Sequence, residues 1–283
     1  MGTQGMMPPA LSPENYTFLQ QYIQKESGIA LGNDKLYLLK SRLQPIVEQQ
    51  RLKSLDELCG RLRANPPEAL RRAVVESMTT HETLFFRDPA VFEMLRGELI
   101  PELVKARAAS KTLRIWCAAC SSGQEPYSLA MLLVEMGLTG WNPQILGTDL
   151  SSQILARAQS GRFLQIEVNR GLPASLLVKY FQREGLDWQI KDTVRRMVRF
   201  TAFDLRHNMQ GLGPYDLILC RNVLIYFESD TRKKILAGLR KSLAPGGYLL
   251  LGASETTFTL DDGFLRKTMR NSVVYQTPPA EAL

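Results

Sequence analysis

The first part of the chain has the apolar spacing of amphipathic helices. Between residue 13 and about residue 75, apolar positions recur every three or four residues, including Leu19, Tyr22, Ile23, Leu36, Leu39, Leu43, Ile46 and Val47. This spacing places them on one face of a helix. Ser12 before Pro13 predicts where the first helix begins, and Ser54 with Glu57 three residues later predicts a capping box at a later helix. We therefore predict a small all-helical N-terminal domain at residues 1–75.

From residue 110 onward, short apolar strands alternate with helices. The predicted strands are Leu113–Cys117, Gln144–Thr148, Met197–Ala202, Tyr215–Cys220, Tyr248–Leu251 and Ser272–Tyr275. The predicted helices between them are Pro126–Met136, Ser152–Gln159 and Ser229–Leu243. Such alternation is typical of a parallel sheet covered by helices on both faces. We predict an α/β domain at residues 110–283, preceded by a linking segment at residues 76–109.

The composition predicts a globular protein. Its 283 residues are 45% hydrophobic and 22% charged, which fits one or two domains. The longest strongly apolar stretch, Leu129–Val134, is far shorter than the roughly 20 residues that span a bilayer. The first residues have no apolar signal core. We therefore expect a cytoplasmic protein that does not insert into a membrane.

The charge favours an acidic partner. The formal net charge is +7, and nucleic acid, anionic lipid or an acidic protein would each complement it. The stretch from Arg157 to Arg199 contains nine basic and four acidic residues, and the stretch from Lys25 to Arg72 contains ten basic and six acidic residues. Either stretch could equally be a solvated basic face without a partner.

Polar and small residues follow the predicted strands, where ligands of such sheets bind. Small residues occupy most of the turn from Cys117 to Pro126, so a ligand can approach its backbone. Asp149 ends the next strand and could accept hydrogen bonds from a ribose diol, or could simply cap the following helix. Asp204 with Leu205 could face an adenine edge. Because no phosphate-binding lysine loop is present, S-adenosylmethionine fits better than a nucleotide.

Four motifs together resemble the CheR family of chemoreceptor glutamate methyltransferases. They are Thr79–Asp88 (TTHETLFFRD), Ala119–Ser128 (ACSSGQEPYS), Gly147–Ser151 (GTDLS) and Cys220–Phe227 (CRNVLIYF). The resemblance implies a class I, Rossmann-like methyltransferase sheet with a small all-helical N-terminal domain. It also implies a small antiparallel β-subdomain inserted at about residues 161–196.

The resemblance also implies a set of site residues. Arg87 and Tyr226 would lie nearest the transferred methyl group and the substrate carboxylate. His81 stands where the family usually has Asn, so we expect an altered contact there. The cofactor-binding residues would be His81, Thr83, Arg87, Glu125, Asp149, Asp204, Leu205, Arg221 and Asn222.

The implied reaction needs no general base, because a glutamate carboxylate is already ionised at pH 7. Alignment of the reactants should dominate catalysis, and S-adenosylhomocysteine would be the product. Arg87 could hold the carboxylate through its planar fork of donors, and we expect it to be partly engaged elsewhere. Cys117 and Cys120 form a CxxC pair without the further ligands of a zinc site, so no metal is expected.

The implied partners are the acidic cytoplasmic methylation helices of chemoreceptors, which would suit Lys35, Lys40 and Arg42 on a predicted helix. Some members grip a receptor C-terminal pentapeptide, but the short connection Tyr180–Leu186 argues against such a tether here. A nucleic-acid methyltransferase would also explain the charge, yet it typically has an Asp/Asn-Pro-Pro-aromatic turn where this chain has Arg221 and Asn222. A non-catalytic cofactor-binding sensor is the other alternative, and the presence of both Arg87 and Tyr226 argues against it.

Overall fold

The computed structural model describes residues 11–279. The first ten residues, part of the predicted helical domain and of the start without a signal core, lie outside this range. The described chain forms two compact units, one of residues 11–80 with 226–228 and one of residues 81–225 with 229–279. No helix among the described residues is both long and apolar enough to cross a membrane.

The first unit is a bundle of helices. Its helices are α1 (Pro13–Ser27), α2 (Leu36–Gln49), α3 (Leu55–Arg63) and α4 (Glu68–Met78). The Ser12 hydroxyl accepts a hydrogen bond from the backbone N–H of Asn15 at 3.2 Å, so Ser12 caps α1 as predicted. The apolar faces meet in one core, in which the most deeply buried side chains are Leu19, Ile23, Leu39, Leu43, Leu58, Cys59 and Val74.

The start of α3 differs in detail from a capping box. The Ser54 hydroxyl accepts from the Glu57 N–H at 3.3 Å, as predicted. The Glu57 carboxylate, however, accepts from the N–H of Lys53 at 2.7 Å, one residue before the cap. The side chain still satisfies a backbone donor at the helix start, which is the physical purpose of the motif.

The second unit contains a sheet of seven strands. The strands are β1 (Thr112–Ala118), β2 (Asn142–Asp149), β6 (Val198–Ala202), β7 (Tyr215–Cys220), β8 (Leu243–Leu251), β9 (Leu265–Met269) and β10 (Ser272–Gln276). Their order in the sheet is β6-β2-β1-β7-β8-β10-β9. The first five pair in parallel, and β10 is antiparallel to both of its neighbours. All six predicted strands are present, and the edge strand β9 is additional.

The second unit also contains helices. They are α5 (Pro89–Met94), α6 (Ile100–Ala106), α7 (Gln124–Glu135), α8 (Ser152–Ser160), α9 (Gln165–Val168), α10 (Ala174–Tyr180), α11 (Asp192–Arg195) and α12 (Ser229–Ser242). A π-helical turn, Leu95–Leu99, joins α5 to α6. Pro101 near the start of α6 has no N–H to donate, which explains a local departure from α-helical bonding.

A second sheet of three antiparallel strands lies between β2 and β6 in the chain. It has the order β3-β5-β4, with β3 (Arg162–Leu164), β4 (Phe181–Glu184) and β5 (Asp187–Ile190). The fully buried ring of Phe85 packs edge-on against Phe163 of β3 and Phe181 of β4. The predicted fold class, a Rossmann-like sheet with an all-helical N-terminal part and an inserted antiparallel subdomain, is therefore confirmed.

Candidate functional site

The turn that follows β1 lies against the carboxyl end of the neighbouring strand β2. Ala119, Ser121 and Gly123 have φ of 58°, 50° and 93°, the left-handed region that is costly for residues with a Cβ. The N–H of Cys120 donates to the carbonyl of Thr148 at 2.8 Å, which holds the turn against β2. Such a turn, built of small residues, lets a ligand approach the backbone closely.

Asp149, at the end of β2, is buried and accepts two backbone hydrogen bonds. Its carboxylate accepts from the N–H of Ser121 at 2.9 Å and from the N–H of Ser151 at 3.0 Å. Burial raises the pKa of this carboxyl, while the two N–H groups and the nearby His81 act in the opposite direction. The helix α8 is capped by Ser151, whose hydroxyl accepts from the Ile154 N–H at 3.2 Å. Asp149 is therefore not the helix cap, which was the alternative to a ligand-binding role.

Ser121 links this turn to the segment that carries His81. Its hydroxyl donates to the backbone carbonyl of His81 at 2.9 Å. Five residues further along, the N–H of Phe86 donates to the Ser128 hydroxyl on α7 at 2.9 Å. The segment from His81 to Asp88 is thus fixed to the sheet unit at both ends, and Thr83 lies half-buried between these contacts.

Arg221, which follows β7, is a buried cation between carboxylates. Its side chain is 2% exposed and donates to Glu125 at 2.8 Å and to the carboxylate of Asp88. It also donates to the backbone carbonyl of Arg87 at 3.2 Å. Its Nε is buried and has no hydrogen-bond partner among the described residues. Most of the guanidinium therefore organises the protein, and its Nε–H is the buried donor that a ligand acceptor would satisfy.

Glu125 lies in the first turn of α7, beside Arg221. Burial raises the pKa of its carboxyl above the ordinary value, and the positive charges of Arg221 and Arg87 offset part of that rise. Arg87 therefore lies close enough to Glu125 for their charges to interact. The Arg87 guanidinium also donates to the carbonyl of Glu82 at 3.3 Å. This agrees with the expectation that Arg87 is partly engaged within the protein.

Asp204 forms an ion pair with Arg206 in the loop after β6. Its carboxylate is held by the forked guanidinium of Arg206, with Arg206 Nη2 at 2.6 Å and Nε at 3.0 and 3.1 Å from its oxygens. An acidic side chain bound in this way has little acceptor capacity left for an adenine amine. Leu205, directly after it, is 7% exposed and supplies apolar surface. The N–H of Phe203 donates to the carbonyl of Asp149 at 3.0 Å, which ties this loop to the end of β2.

Asn222 and Tyr226 lie in the loop after β7 but belong to different units. Asn222 has a φ of 59° and is part of the sheet unit. Tyr226 is grouped with the helical unit, where its carbonyl accepts from the Ala30 N–H at 2.9 Å and Phe227 forms a bridge to Ile29. The remaining predicted site residues, from His81 to Asn222, all lie in the sheet unit.

The residues fit an adenosyl cofactor. The Asp149 carboxylate lies at the end of β2, and an ionised carboxylate can accept several hydrogen bonds, so its chemistry suits the hydroxyls of a ribose. Leu205 offers an apolar contact near the same strand end, and the orphaned Arg221 Nε offers a donor. No group of three or more His, Cys, Asp or Glu side chains within residues 11–279 is arranged to hold a metal ion.

Three residues that organise this site, Asp88, Ser121 and Glu255, were not predicted from the sequence. Asp88 and Ser121 lie inside quoted motifs, so their bonds to Arg221 and to His81 could have been suspected there. Glu255 lies outside every motif, in the turn after β8. Its carboxylate accepts four backbone N–H groups, and nothing in its sequence surroundings signals that role.

Comparison with known families and proteins gives a consistent result. Residues 14–79 match the all-alpha domain of CheR methyltransferase, and residues 81–273 match the SAM binding domain of CheR methyltransferase. The chain is 42% identical to chemotaxis protein methyltransferase Cher2 of Pseudomonas putida over 261 residues, covering 90% of this chain and 94% of the relative. It is 41% identical to chemotaxis protein methyltransferase 1 of Pseudomonas aeruginosa, covering 93% and 97%.

Among solved structures, the chain is similar to the magnesium protoporphyrin IX methyltransferase of Synechocystis PCC 6803 with bound SAM. That similarity has a TM-score of 0.36 and 18% identity, and it covers 70% of this chain and 85% of the other. A TehB-like SAM-dependent methyltransferase of Corynebacterium glutamicum gives a TM-score of 0.36 at 14% identity, covering 67% and 97%.

Proposed function

The chain belongs to the CheR methyltransferase family, and from that premise we propose that it methylates glutamate side chains of bacterial chemoreceptors. It is a SAM-dependent methyltransferase of chemotaxis. Glutamate methyl esters and S-adenosylhomocysteine would be its products, and adaptation of the chemotactic response its role. The observation that carries the proposal is the match of both CheR domains, in order, to one chain.

We propose that the cofactor is held by Asp149 and the turn after β1 at the adenosine end, with Leu205 contributing apolar surface. His81, Thr83 and Asn222 would complete the contacts. Glu125 and Arg221 would act nearer the amino-acid end, where their opposite charges match a zwitterion. Asp204 would contribute through the position of its loop, because its carboxylate is bound by Arg206.

When bound, S-adenosylmethionine supplies a methyl group made electrophilic by its sulfonium. The protein has to orient a carboxylate that is already ionised, so no side chain has to remove a proton. We propose that Arg87 holds this carboxylate and that the Tyr226 hydroxyl donates a hydrogen bond to it. The bond from Arg87 to the Glu82 carbonyl leaves the guanidinium further donors for a substrate.

We propose that the protein acts in the cytoplasm on the acidic methylation helices of receptors. On α2, Lys40 is half-buried, and no ion pair involving it occurs in the described part of the chain. Arg42 is not available in the same way, because it donates to the carbonyls of Met78 and Thr79 at 2.6 and 3.0 Å. Lys35 is paired with Asp34 at 2.8 Å. Among the three predicted docking residues, Lys40 is therefore the strongest candidate.

We also propose a division of labour along the chain. Residues 1–75 would dock the receptor, residues 76–109 would carry cofactor and substrate contacts, and residues 110–283 would bind the cofactor. The turn between β4 and β5 consists of Gly185 and Leu186, which supports the proposal that no receptor pentapeptide is tethered at the inserted subdomain.

The test is transfer of a labelled methyl group to a receptor cytoplasmic fragment. Purified protein, methyl-labelled S-adenosylmethionine and the fragment are incubated, and methanol released by mild base is counted, because carboxyl methyl esters hydrolyse in this way. We expect base-labile label in the receptor, and its loss in Arg87→Ala. An Arg87→Lys variant separates charge from the forked geometry of the guanidinium.

Two results would overturn the proposal. Label that is stable to base, or that appears in RNA or DNA, would indicate a different acceptor. Tight binding of S-adenosylhomocysteine without any transfer to receptors would indicate a cofactor-binding sensor. Binding of S-adenosylhomocysteine by Arg87→Ala, measured by calorimetry, controls for loss of the cofactor site in that variant.

A further inference from the structure

Glu255 makes an unusual set of hydrogen bonds. One carboxylate oxygen accepts from the N–H groups of Asn222 and Gly252, both at 2.7 Å. The other accepts from the N–H groups of Val223 and Leu224, at 2.9 and 2.7 Å. One side chain thus joins the loop after β7 to the loop after β8, and all five residues lie in the sheet unit.

These four N–H groups need a negatively charged acceptor with two oxygens. A carboxylate can accept about four hydrogen bonds, so Glu255 is used to capacity. A glutamine at this position would keep one oxygen and turn an NH₂ donor toward two N–H donors. Two backbone donors would then lose their acceptor, and a buried N–H without a partner destabilises the loop that holds it.

The backbone around Glu255 is strained and crowded. Asn222 has a φ of 59°, which an asparagine adopts only at some cost. A Cβ on Gly252 would lie 2.7 Å from the Asn222 side-chain amide and 2.7 Å from the Glu255 carboxylate. Glycine is therefore required at residue 252 for the two loops to approach each other this closely.

We propose that Glu255 is a positioning residue for the cofactor site, and this rests on the function proposed above. Its carboxylate holds Asn222 in the left-handed conformation, and this fixes the direction in which the chain leaves β7. Arg221, one residue earlier, is thereby held where it meets Glu125 and Asp88. The four hydrogen bonds that the Glu255 carboxylate accepts all come from backbone N–H groups, so it acts on the site through the loop.

The experiment compares Glu255→Gln, Glu255→Asp and the wild type. We expect Glu255→Gln to weaken binding of S-adenosylhomocysteine at least tenfold by calorimetry, while Glu255→Asp retains part of the affinity because it keeps both oxygens. In the protein without ligand, we expect amide hydrogen exchange at residues 222–224 and 252 to accelerate in Glu255→Gln. Steady-state kinetics should show a raised KM for S-adenosylmethionine with a smaller change in kcat.

The matched control is Asp261→Asn. Asp261 is a buried carboxylate six residues further along, and it accepts from Arg240 at 3.0 Å and from the Gly263 N–H at 2.9 Å. Its substitution should lower stability without changing the affinity for S-adenosylhomocysteine. If Glu255→Gln does not fold, Gly252→Ala disturbs the same contact from the other loop and should give the same loss of affinity.

Wild-type affinity in Glu255→Gln, or equal loss of affinity in Asp261→Asn, would overturn the proposal. So would accelerated exchange spread over the whole sheet unit with no local excess at residues 222–224. These binding and exchange measurements need no receptor. Failure of the wild type to methylate receptors would therefore refute the proposed function separately.

Discussion

At the scale of single residues, the site is organised around charges removed from water. Arg221 is almost fully buried, and its neutralisation by Glu125 and Asp88 offsets the cost of desolvating it. Asp149 is buried as well, but its partners are uncharged N–H groups. This difference suggests distinct roles: Arg221 is satisfied mainly within the protein, whereas Asp149 has capacity left for a ligand.

Replacing Asp149 with Asn should weaken cofactor binding. The substitution removes the charge and half of the acceptor capacity, and hydrogen bonds to charged groups contribute about 1.5–3 kcal/mol each. We therefore expect the dissociation constant for S-adenosylhomocysteine to rise by roughly tenfold to a hundredfold, measured by calorimetry. Ser151→Ala is the control, because it removes the cap of α8 next door and should reduce stability alone. Equal loss in both variants would contradict a ligand role for Asp149.

Cofactor affinity should also fall as the solution becomes acidic. Burial raises the pKa of Asp149 above its ordinary value of 3.8, so the free protein takes up a proton there at a higher pH than an exposed Asp would. Ribose hydroxyls donate to the ionised form and favour it. Affinity should therefore be full well above the raised pKa and decline as the pH falls through it.

The check on this pH dependence is calorimetric titration with S-adenosylhomocysteine at several pH values. In the wild type, binding at acidic pH should release protons, which appears as a dependence of the heat on the buffer. In Asp149→Asn, the part of the decline due to Asp149 should be absent. An identical acid decline in both proteins would assign it to another group, such as Glu125, whose pKa burial also raises.

The sequence indicates candidate site residues that can be recognised from their neighbours in the chain. It does not indicate residues whose role depends on partners far along the chain. The turn after β1 and Asp149 could be proposed from the sequence because small residues and an acid at strand ends are informative by themselves. Glu255 was missed because its partners lie 31–33 residues away for three of its four bonds, in another loop. The burial of Arg221 could not be predicted either, since an Arg after a strand ordinarily faces solvent.

At the scale of elements, the strands that could be predicted are those with a clear apolar pattern in the sequence. The central strands were found because they are continuous apolar runs, as buried parallel strands are. Strand β9 was missed because four of the five residues of Leu265–Met269 are exposed at the sheet edge and show no alternation. Its Arg266 and Lys267 are typical of an edge protected against pairing with other chains.

The cap of α1 is a prediction that can be tested at this scale. Ser12→Ala removes the hydroxyl that accepts from the Asn15 N–H. We expect the free energy of unfolding of the helical unit to fall by about 1 kcal/mol, within a range of roughly 0.5–2, measured by denaturant titration. Thr17→Ala, on the exposed face of the same helix, should change it much less. No difference between the two variants would show that the cap does not stabilise the unit.

At the scale of the whole molecule, the two basic stretches of the sequence prove to be different. Between residues 157 and 199, most of the basic side chains form ion pairs, namely Arg157 with Glu167, Arg162 with Glu184, Arg170 with Glu82, Lys179 with Glu135, and Arg195 and Arg196 with Asp192. Between residues 25 and 72, Lys40, Arg51 and Arg61 form no ion pair with any described residue. A smaller share of the basic side chains is therefore ion-paired in this stretch, which leaves Lys40 available to an acidic partner.

This difference predicts how receptor methylation responds to salt. Lys40→Ala should raise the KM for a receptor fragment by up to about fivefold at low ionic strength, since an exposed charge pair contributes about 1 kcal/mol or less. The effect should shrink as salt is added and the Debye length falls below about 10 Å. Lys105→Ala removes an equal charge from α6 and should change the KM less. The affinity for S-adenosylhomocysteine should stay constant in both variants. Equal effects of the two substitutions would mean that net charge attracts the receptor, and that α2 has no special part in docking it.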